Sequence, residues 1–232
     1  MQELKGSFVA LVTPMKSNGE IDFPALKELV EWHIESGTHG LVSVGTTGES
    51  ATLNFNDHVK VLEKTISYID NKIVAIAGTG ANSTDEAIEL NKAAISIGYE
   101  FALSVTPYYN KPNQLGLEAH YKKIADSSVI KNILYNVPSR TACDLEPETV
   151  NKLIHHENIV GIKEAVDDPK RYKALIKMAK NSSEPFYVLS GDDPTFFEFM
   201  KSGGDGVISV AANVIPAQVA KIAISCLNDC LL

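Results

Sequence analysis

Cysteine is scarce, with three in 232 residues. Cys143, Cys226 and Cys230 are an odd number spread through a long chain, which argues against a disulfide framework and for free thiols in a reducing compartment. A cytoplasmic location is therefore expected. Cys226 and Cys230 have no second ligand pair, and the six histidines form no His-Glu-x-x-His pattern, so no metal site is expected. Long apolar runs are also missing. The longest early run, 8–12, has five residues, whereas a membrane helix needs about 20. Thr13-Pro14 follows it in place of a small-residue cleavage site, so neither a signal peptide nor a membrane partner is expected. Basic charge is in deficit, with 21 Lys and Arg against 29 Asp and Glu and a formal net charge of −8. Such a chain lacks the electropositive surface that binds a phosphate backbone, which sets nucleic acid aside.

What is present is ordinary globular composition, 44% hydrophobic and 22% charged, at a length suited to one large core. A single domain over 1–232 is expected. Short β-branched apolar runs recur at 8–13, 40–45, 73–78, 101–106, 132–137, 159–163, 186–190 and 206–210. They are too short for helices and apolar on both faces, the mark of buried parallel strands. Helical grammar lies between them. Asp22 and Pro24 precede an apolar stripe of Leu26, Leu29, Val30, His33 and Ile34, and Gly37 closes it. Ser83 or Thr84 can cap a helix ending at Gly98, with Ala87, Ile88, Asn91, Ala94 and Ile95 inward and acidic Asp85 and Glu86 in its first turn. Pro147 to His156 predicts another, with Val150, Leu153 and Ile154 inward. Asp168-Pro169 opens one over Tyr172, Leu175, Ile176 and Ala179, and Asp193-Pro194 one over Phe196, Phe197 and Met200. Eight strand–helix units predict an α/β fold, a (β/α)8 barrel, with an open doubly wound sheet as the rival. A last helix is expected at about 216–227. Leu227, Leu231 and Leu232 at the terminus look for a packing partner, and the expectation is a C-terminal segment beyond this chain.

In such barrels chemistry sits where strands end. Those ends carry many hydroxyls, one lysine and one arginine. Gly78-Thr79-Gly80 lacks the third glycine of a dinucleotide fingerprint, and Asp192 and Asp193 in the seventh loop disfavour a phosphate. Lys163 follows Ile159-Val160-Gly161-Ile162 and projects from the top of the sixth strand. Holding a free lysine neutral at pH 7 costs about 5 kcal/mol. Desolvation and a nearby cation such as Arg140 would offset part of that, leaving an amine able to form an imine with a ketone. The other reading is a strand-end lysine reaching solvent or pairing with Glu164. Tyr135 on the fifth strand has a phenol able to move protons, or is a core tyrosine. Thr46 and Thr47 offer groups for a carboxylate, or form a tight turn only. Arg140 can clamp a second carboxylate, or lie on the surface.

The chain resembles the dihydrodipicolinate synthase family of the pyruvate aldolase superfamily. The resemblance rests on Val12-Thr13-Pro14, Gly45-Thr46-Thr47-Gly48-Glu49-Ser50, Gly78-Thr79-Gly80-Ala81-Asn82, and Thr106-Pro107-Tyr108-Tyr109-Asn110-Lys111-Pro112. It continues through Tyr135-Asn136-Val137-Pro138-Ser139-Arg140-Thr141, Gly161-Ile162-Lys163-Glu164-Ala165 and Leu189-Ser190-Gly191-Asp192-Asp193. The resemblance implies a lyase of lysine and diaminopimelate biosynthesis. Lys163 would form an imine with pyruvate, and its enamine would condense with L-aspartate 4-semialdehyde to give 4-hydroxy-tetrahydrodipicolinate. Tyr135 would be the proton donor, linked through Thr46 to Tyr109, which in the family reaches a neighbouring subunit's site. Thr47 would hold pyruvate's carboxylate, Gly191 and Ile208 would line the pocket, and Arg140 would grip the second substrate. No metal or organic cofactor is implied. N-acetylneuraminate lyase and the 2-keto-3-deoxy sugar acid aldolases share the lysine and tyrosine, and Arg140 separates them. A non-catalytic truncated barrel is the alternative of a different class. The resemblance also implies a homotetramer or dimer, and an effector site at Ser50, Ala51, His58, Asn82, Glu86 and Tyr108. Phe55 replaces a histidine of lysine-sensitive members, so weak or absent feedback by lysine is expected. The acidic run Val166-Asp167-Asp168 departs from the family's small-residue turn.

Overall fold

The computed structural model describes residues 3–228; Cys230, Leu231 and Leu232 lie outside them. Eight strands form the wall: β1 (Gly6–Ala10), β2 (Gly40–Ser43), β3 (Val74–Gly78), β4 (Phe101–Val105), β5 (Lys131–Asn136), β6 (Ile159–Glu164), β7 (Tyr187–Ser190) and β8 (Gly206–Ser209). Every pair is parallel, in chain order, and β8 closes on β1 with Phe8 beside Ile208. The expected (β/α)8 barrel is present and the open sheet is excluded. Around it run α1 (Phe23–Glu35), α2 (Phe55–Ile69), α3 (Thr84–Ile97), α4 (Gln114–Asp126), the single turn α5 (Pro138–Thr141), α6 (Pro147–Leu153), α7 (Pro169–Asn181), α8 (Phe196–Lys201) and α9 (Pro216–Leu227). No helix among the described residues is long and apolar enough to cross a membrane.

Local chemistry sets the helix starts. Asp22 Oδ1 accepts from the Ala25 amide at 3.1 Å, Ser83 Oγ accepts from Glu86, and Asp168 Oδ1 accepts from Lys170. Each such cap contributes about 1 kcal/mol. Capping α7 also explains why an acidic residue stands at 168. Gly98 ends α3 at φ +109°, a conformation that suits glycine.

Two packed layers result from strand alternation. Ile133 and Tyr135 point into the barrel with Phe8, Val42, Leu189 and Ile208. Leu134, between them, points outward to meet Leu117, Tyr121 and Leu153 from the helices. β6 carries one irregularity. Ile159 is level with Asn132, but Gly161 rather than Val160 is level with Ile133. The extra residue resets the alternation, so Ile162 faces the helices and Lys163 the interior, level with Tyr135. Bulges of this kind re-aim side chains near functional sites.

Two expectations need correction. The first strand covers Gly6–Ala10 rather than 8–13, because past the Leu11–Val42 bond the Val12 amide donates to the Asn213 side chain instead of a neighbouring strand. Helix α8 starts only at Phe196, and Asp193 does not cap it. Phe197 therefore turns to solvent at 39% exposure, while Phe199 packs on Tyr172 with ring centroids 4.9 Å apart.

Candidate active site

Lys163 is 4% exposed on the inner face of β6, and its Nζ lies 4.2 Å from the centroid of the Tyr135 ring. Adjacent strands in register put the two side by side. Burial lowers the Lys163 pKa from 10.5 to about 7; Asp193 pulls the other way and the Arg140 charge pushes it further down. That displacement is worth about 5 kcal/mol in the balance of charged and neutral forms. Near neutrality the amine is therefore close to half deprotonated. Lys163 neither reaches solvent nor pairs with Glu164, which points to the opposite face and binds Arg171.

Burial raises the Tyr135 phenol, while Arg140 and a hydrogen bond with Thr46 lower it. The phenol is thus mainly protonated at neutral pH and able to give a proton. Thr46 and Thr47 come from the loop after β2. That loop leaves the strand through Val44 at φ +52°, a strained conformation for a β-branched residue. Gly78 on β3 makes this turn feasible, since a Cβ there would overlap the Val44 carbonyl. The turn is tied down by the Thr13 hydroxyl donating to the Gly48 carbonyl at 2.7 Å and by Glu49 N–H donating to Thr46.

Thr46, Thr47, Tyr135, Arg140, Lys163 and Gly191 line one cavity of about 310 Å³, together with Ala165, Asp192 and Val210. Gly191 has a steric reason to be glycine: a Cβ would stand 2.9 Å from Lys163 Cε and 2.9 Å from Ala165 Cβ. Arg140 is exposed on the turn α5, where Pro138 presets the first helical position. Ile208 is 1% exposed and packs in the interior cluster; Val210, two residues on, is at the cavity wall instead. Tyr109 is not gathered in. It stands 90% exposed at φ +71°.

A neighbouring cavity of about 340 Å³ shares Thr46, Val137 and Arg140 with the first and is lined further by Ser50, Ala51 and Tyr108. His58 is buried, with Nε2 2.7 Å from the Gly78 carbonyl. Asn82 offers its carbonyl to Asn110, and exposed Glu86 helps raise the Tyr108 phenol. Phe55, at the start of α2, is 38% exposed.

Asp193 is the site residue that pattern reading assigned elsewhere. Its carboxylate accepts from the Ser209 hydroxyl and from the Val210 and Ala211 amides at 2.9 Å, joining the ends of β7 and β8 beside Lys163. The Asp-Pro pair resembles a helix start, and only the bulk of the barrel shows where the carboxylate goes.

The family model described as "Dihydrodipicolinate synthetase family" matches residues 3–229. A 4-hydroxy-tetrahydrodipicolinate synthase of Teredinibacter turnerae is 53% identical over 218 residues, which are 94% of this chain and 74% of that protein. The protein of that name from Ruthia magnifica is 56% identical over 217 residues, covering 94% of this chain and 72% of its own length. The crystal structure of the chloride-inhibited dihydrodipicolinate synthase from Acinetobacter baumannii, complexed with pyruvate, superposes with a TM-score of 0.94 at 49% identity, over 97% of this chain and 77% of that one. With the barrel, the buried amine beside a tyrosine and these likenesses together, the chain belongs to the dihydrodipicolinate synthetase family.

Proposed function

We propose that this chain condenses pyruvate with L-aspartate 4-semialdehyde to form 4-hydroxy-tetrahydrodipicolinate, with Lys163 as the nucleophile. The observation that carries the reading is a buried amine with a pKa of about 7, facing a protonated phenol in a cavity with an arginine at its mouth. The neutral Lys163 amine attacks the pyruvate ketone carbon, Tyr135 gives a proton to the oxygen, and water leaves to form the imine. The Tyr135 phenolate then takes a proton from the pyruvate methyl group, whose C–H electron pair flows to the iminium nitrogen, leaving an enamine and restoring the phenol. The enamine carbon attacks the aldehyde carbon, forming the new carbon–carbon bond, and a proton returned through Tyr135 completes the hydroxyl. The substrate's own amine displaces Lys163 from the imine carbon, closing the ring and freeing the enzyme.

Thr47 and the amides of its turn suit pyruvate's carboxylate, and Arg140 suits the carboxylate of the aldehyde substrate by a bidentate pair. Gly191 keeps space for the moving lysine stem. The catalytic roles of Lys163, Tyr135 and Thr46 are supported by their gathering at one barrel mouth. For Tyr109, exposure on a strained backbone supports a site completed by a second copy of the chain, giving a homo-oligomer. A reducing, cytoplasmic setting suits the two free thiols among the described residues, Cys143 and Cys226. Ser50, Ala51 and Tyr108 form part of an effector cavity that responds weakly to lysine.

The test is borohydride reduction in the presence of pyruvate, followed by peptide mass spectrometry. A reduced pyruvyl adduct on Lys163 is expected. A folded chain that yields none, or an adduct on another lysine, would overturn the assignment.

A further inference from the structure

We infer that Arg171, Glu164, Asp144 and Asn136 form a clamp on the outer face of the barrel wall that sets the spacing of Lys163, Tyr135 and Arg140 inside it. The inference rests on the reading of Lys163 as the nucleophile and adds a set of positioning residues to it.

Each clamp residue on the wall is the chain neighbour of a site residue. Asn136 follows Tyr135 and Glu164 follows Lys163, and alternation along a strand sends neighbours to opposite faces. Tyr135 is level with Lys163, and Asn136 is level with Glu164. Outside, Asn136 Nδ2 donates to Glu164 Oε1 at 3.0 Å. That bond fixes laterally the two strand ends whose inner faces carry the amine and the phenol.

The clamp extends beyond these strands. Arg171 reaches back from the first turn of α7, with Nε 2.7 Å from Glu164 Oε2 and Nη1 2.9 Å from Asp144 Oδ2, and it also donates to the Leu145 carbonyl. Asn136 donates to Asp144 Oδ1 at 2.8 Å and accepts from the Leu145 amide at 2.9 Å. Asp144 and Leu145 lie three and four residues past the end of α5, so the segment carrying Arg140 is pinned to the same point. The Val166 amide adds a third donor to the Glu164 carboxylate. The Glu164 side chain is fully inaccessible and that of Arg171 only 11% exposed, so water competes little for the bond between them, while Asp144 is 42% exposed. The other ion pairs among the described residues, apart from Arg171's second one to Asp144, each have a partner at least 44% exposed.

Stability alone is a poor reason for such an arrangement, because a buried ion pair gains little over apolar residues of the same shape. Directional bonds, however, hold geometry where apolar packing allows sliding, and a reacting pair tolerates little displacement.

The experiment compares the unaltered chain with Arg171→Met and with the double variant Arg171→Met/Glu164→Gln. The rate of borohydride-trappable imine formation at Lys163 with pyruvate is read alongside thermal unfolding, well below each variant's melting temperature. Arg171→Met leaves a buried carboxylate unpaired, and both a lower melting temperature and an imine rate reduced at least about tenfold are expected. The double variant removes the unpaired charge, so recovery of the melting temperature without recovery of the rate is the expected signature. Recovery of both would overturn the clamp, since its role would then be structural only. So would a rate within about twofold of the unaltered chain in either variant. If Arg171→Met does not fold, the double variant alone decides by the same two readings. Absence of any adduct in the unaltered chain would overturn the nucleophile beneath the inference, a failure that occurs without substitution and so is distinguishable.

Discussion

Lys163 and Glu164 are adjacent, both buried and both ionisable, yet the barrel treats them in opposite ways. Glu164, on the outer face, meets Arg171, Asn136 and the Val166 amide, and these oppose the upward push of burial on its pKa. Lys163, on the inner face, has a protonated phenol beside it, a cation nearby, and is drawn to the charged form by Asp193, whose oxygens are already taken by Ser209, Val210 and Ala211. One charge is compensated so that it holds still. The other is left under-compensated so that it can lose its proton. The contrast shows how a single strand supplies rigidity on one face and reactivity on the other.

Removing the reactive partner should have the largest effect. Lys163→Met is expected to abolish the adduct and lower turnover by at least about three orders of magnitude, measured by trapping and by steady-state rate. The same variant should be more stable at neutral pH, by on the order of a few kcal/mol. The sign follows from the lowered pKa: between about 7 and 10.5 the folded chain binds fewer protons than the unfolded one, so its stability rises with pH. The advantage of Lys163→Met should therefore shrink as pH rises through that window, as read by chemical denaturation at several pH values. A variant no more stable than the parent would remove the claim that the lysine is held under strain.

Next in size is Tyr135→Phe, which keeps the ring beside the amine and removes the proton. A loss of about a hundredfold or more in the imine rate is expected in single-turnover experiments. Tracking that rate from pH 6 to pH 8 in the unaltered chain should show an increase of about tenfold, levelling above pH 8, because a pKa near 7 is crossed in that interval. A flat profile would mean that the free amine does not limit the step. Gly191→Ala sharpens the same point sterically. The added carbon would press on the Lys163 stem, and roughly a tenfold slower trapping with unchanged folding is expected. The smallest effect concerns the neighbouring cavity. Addition of millimolar lysine is expected to change the initial rate by less than about twofold, and strong inhibition would show that Phe55 is no barrier to a lysine site.

The strands and several of the helices, though not α2 and α4, were readable from the chain because each depends on short-range rules. A β-branched run bounded by breakers, or a capping residue before an apolar stripe, acts within a few residues, so Asp22, Ser83 and Asp168 announced their helices correctly. Lys163 at the end of an apolar run was legible for the same reason. Phe197 and Asp193 were misread because a six-residue helix has no periodicity to speak of, and an Asp-Pro pair reads as a cap whether or not its carboxylate is wanted elsewhere.

The α/β class, the places of the strands and the residue types at their ends thus follow from local pattern, since hydrophobic periodicity and backbone preference are properties of neighbouring residues. Closure of the barrel decided the rest. The bulge at Val160 sets which face Lys163 occupies, and register between β5 and β6 brings its amine to Tyr135. Removal from water then moves the amine's pKa to about 7. Depth of burial and distance between charges arise from groups far apart in the chain, and desolvation exists only once the chain has folded around them.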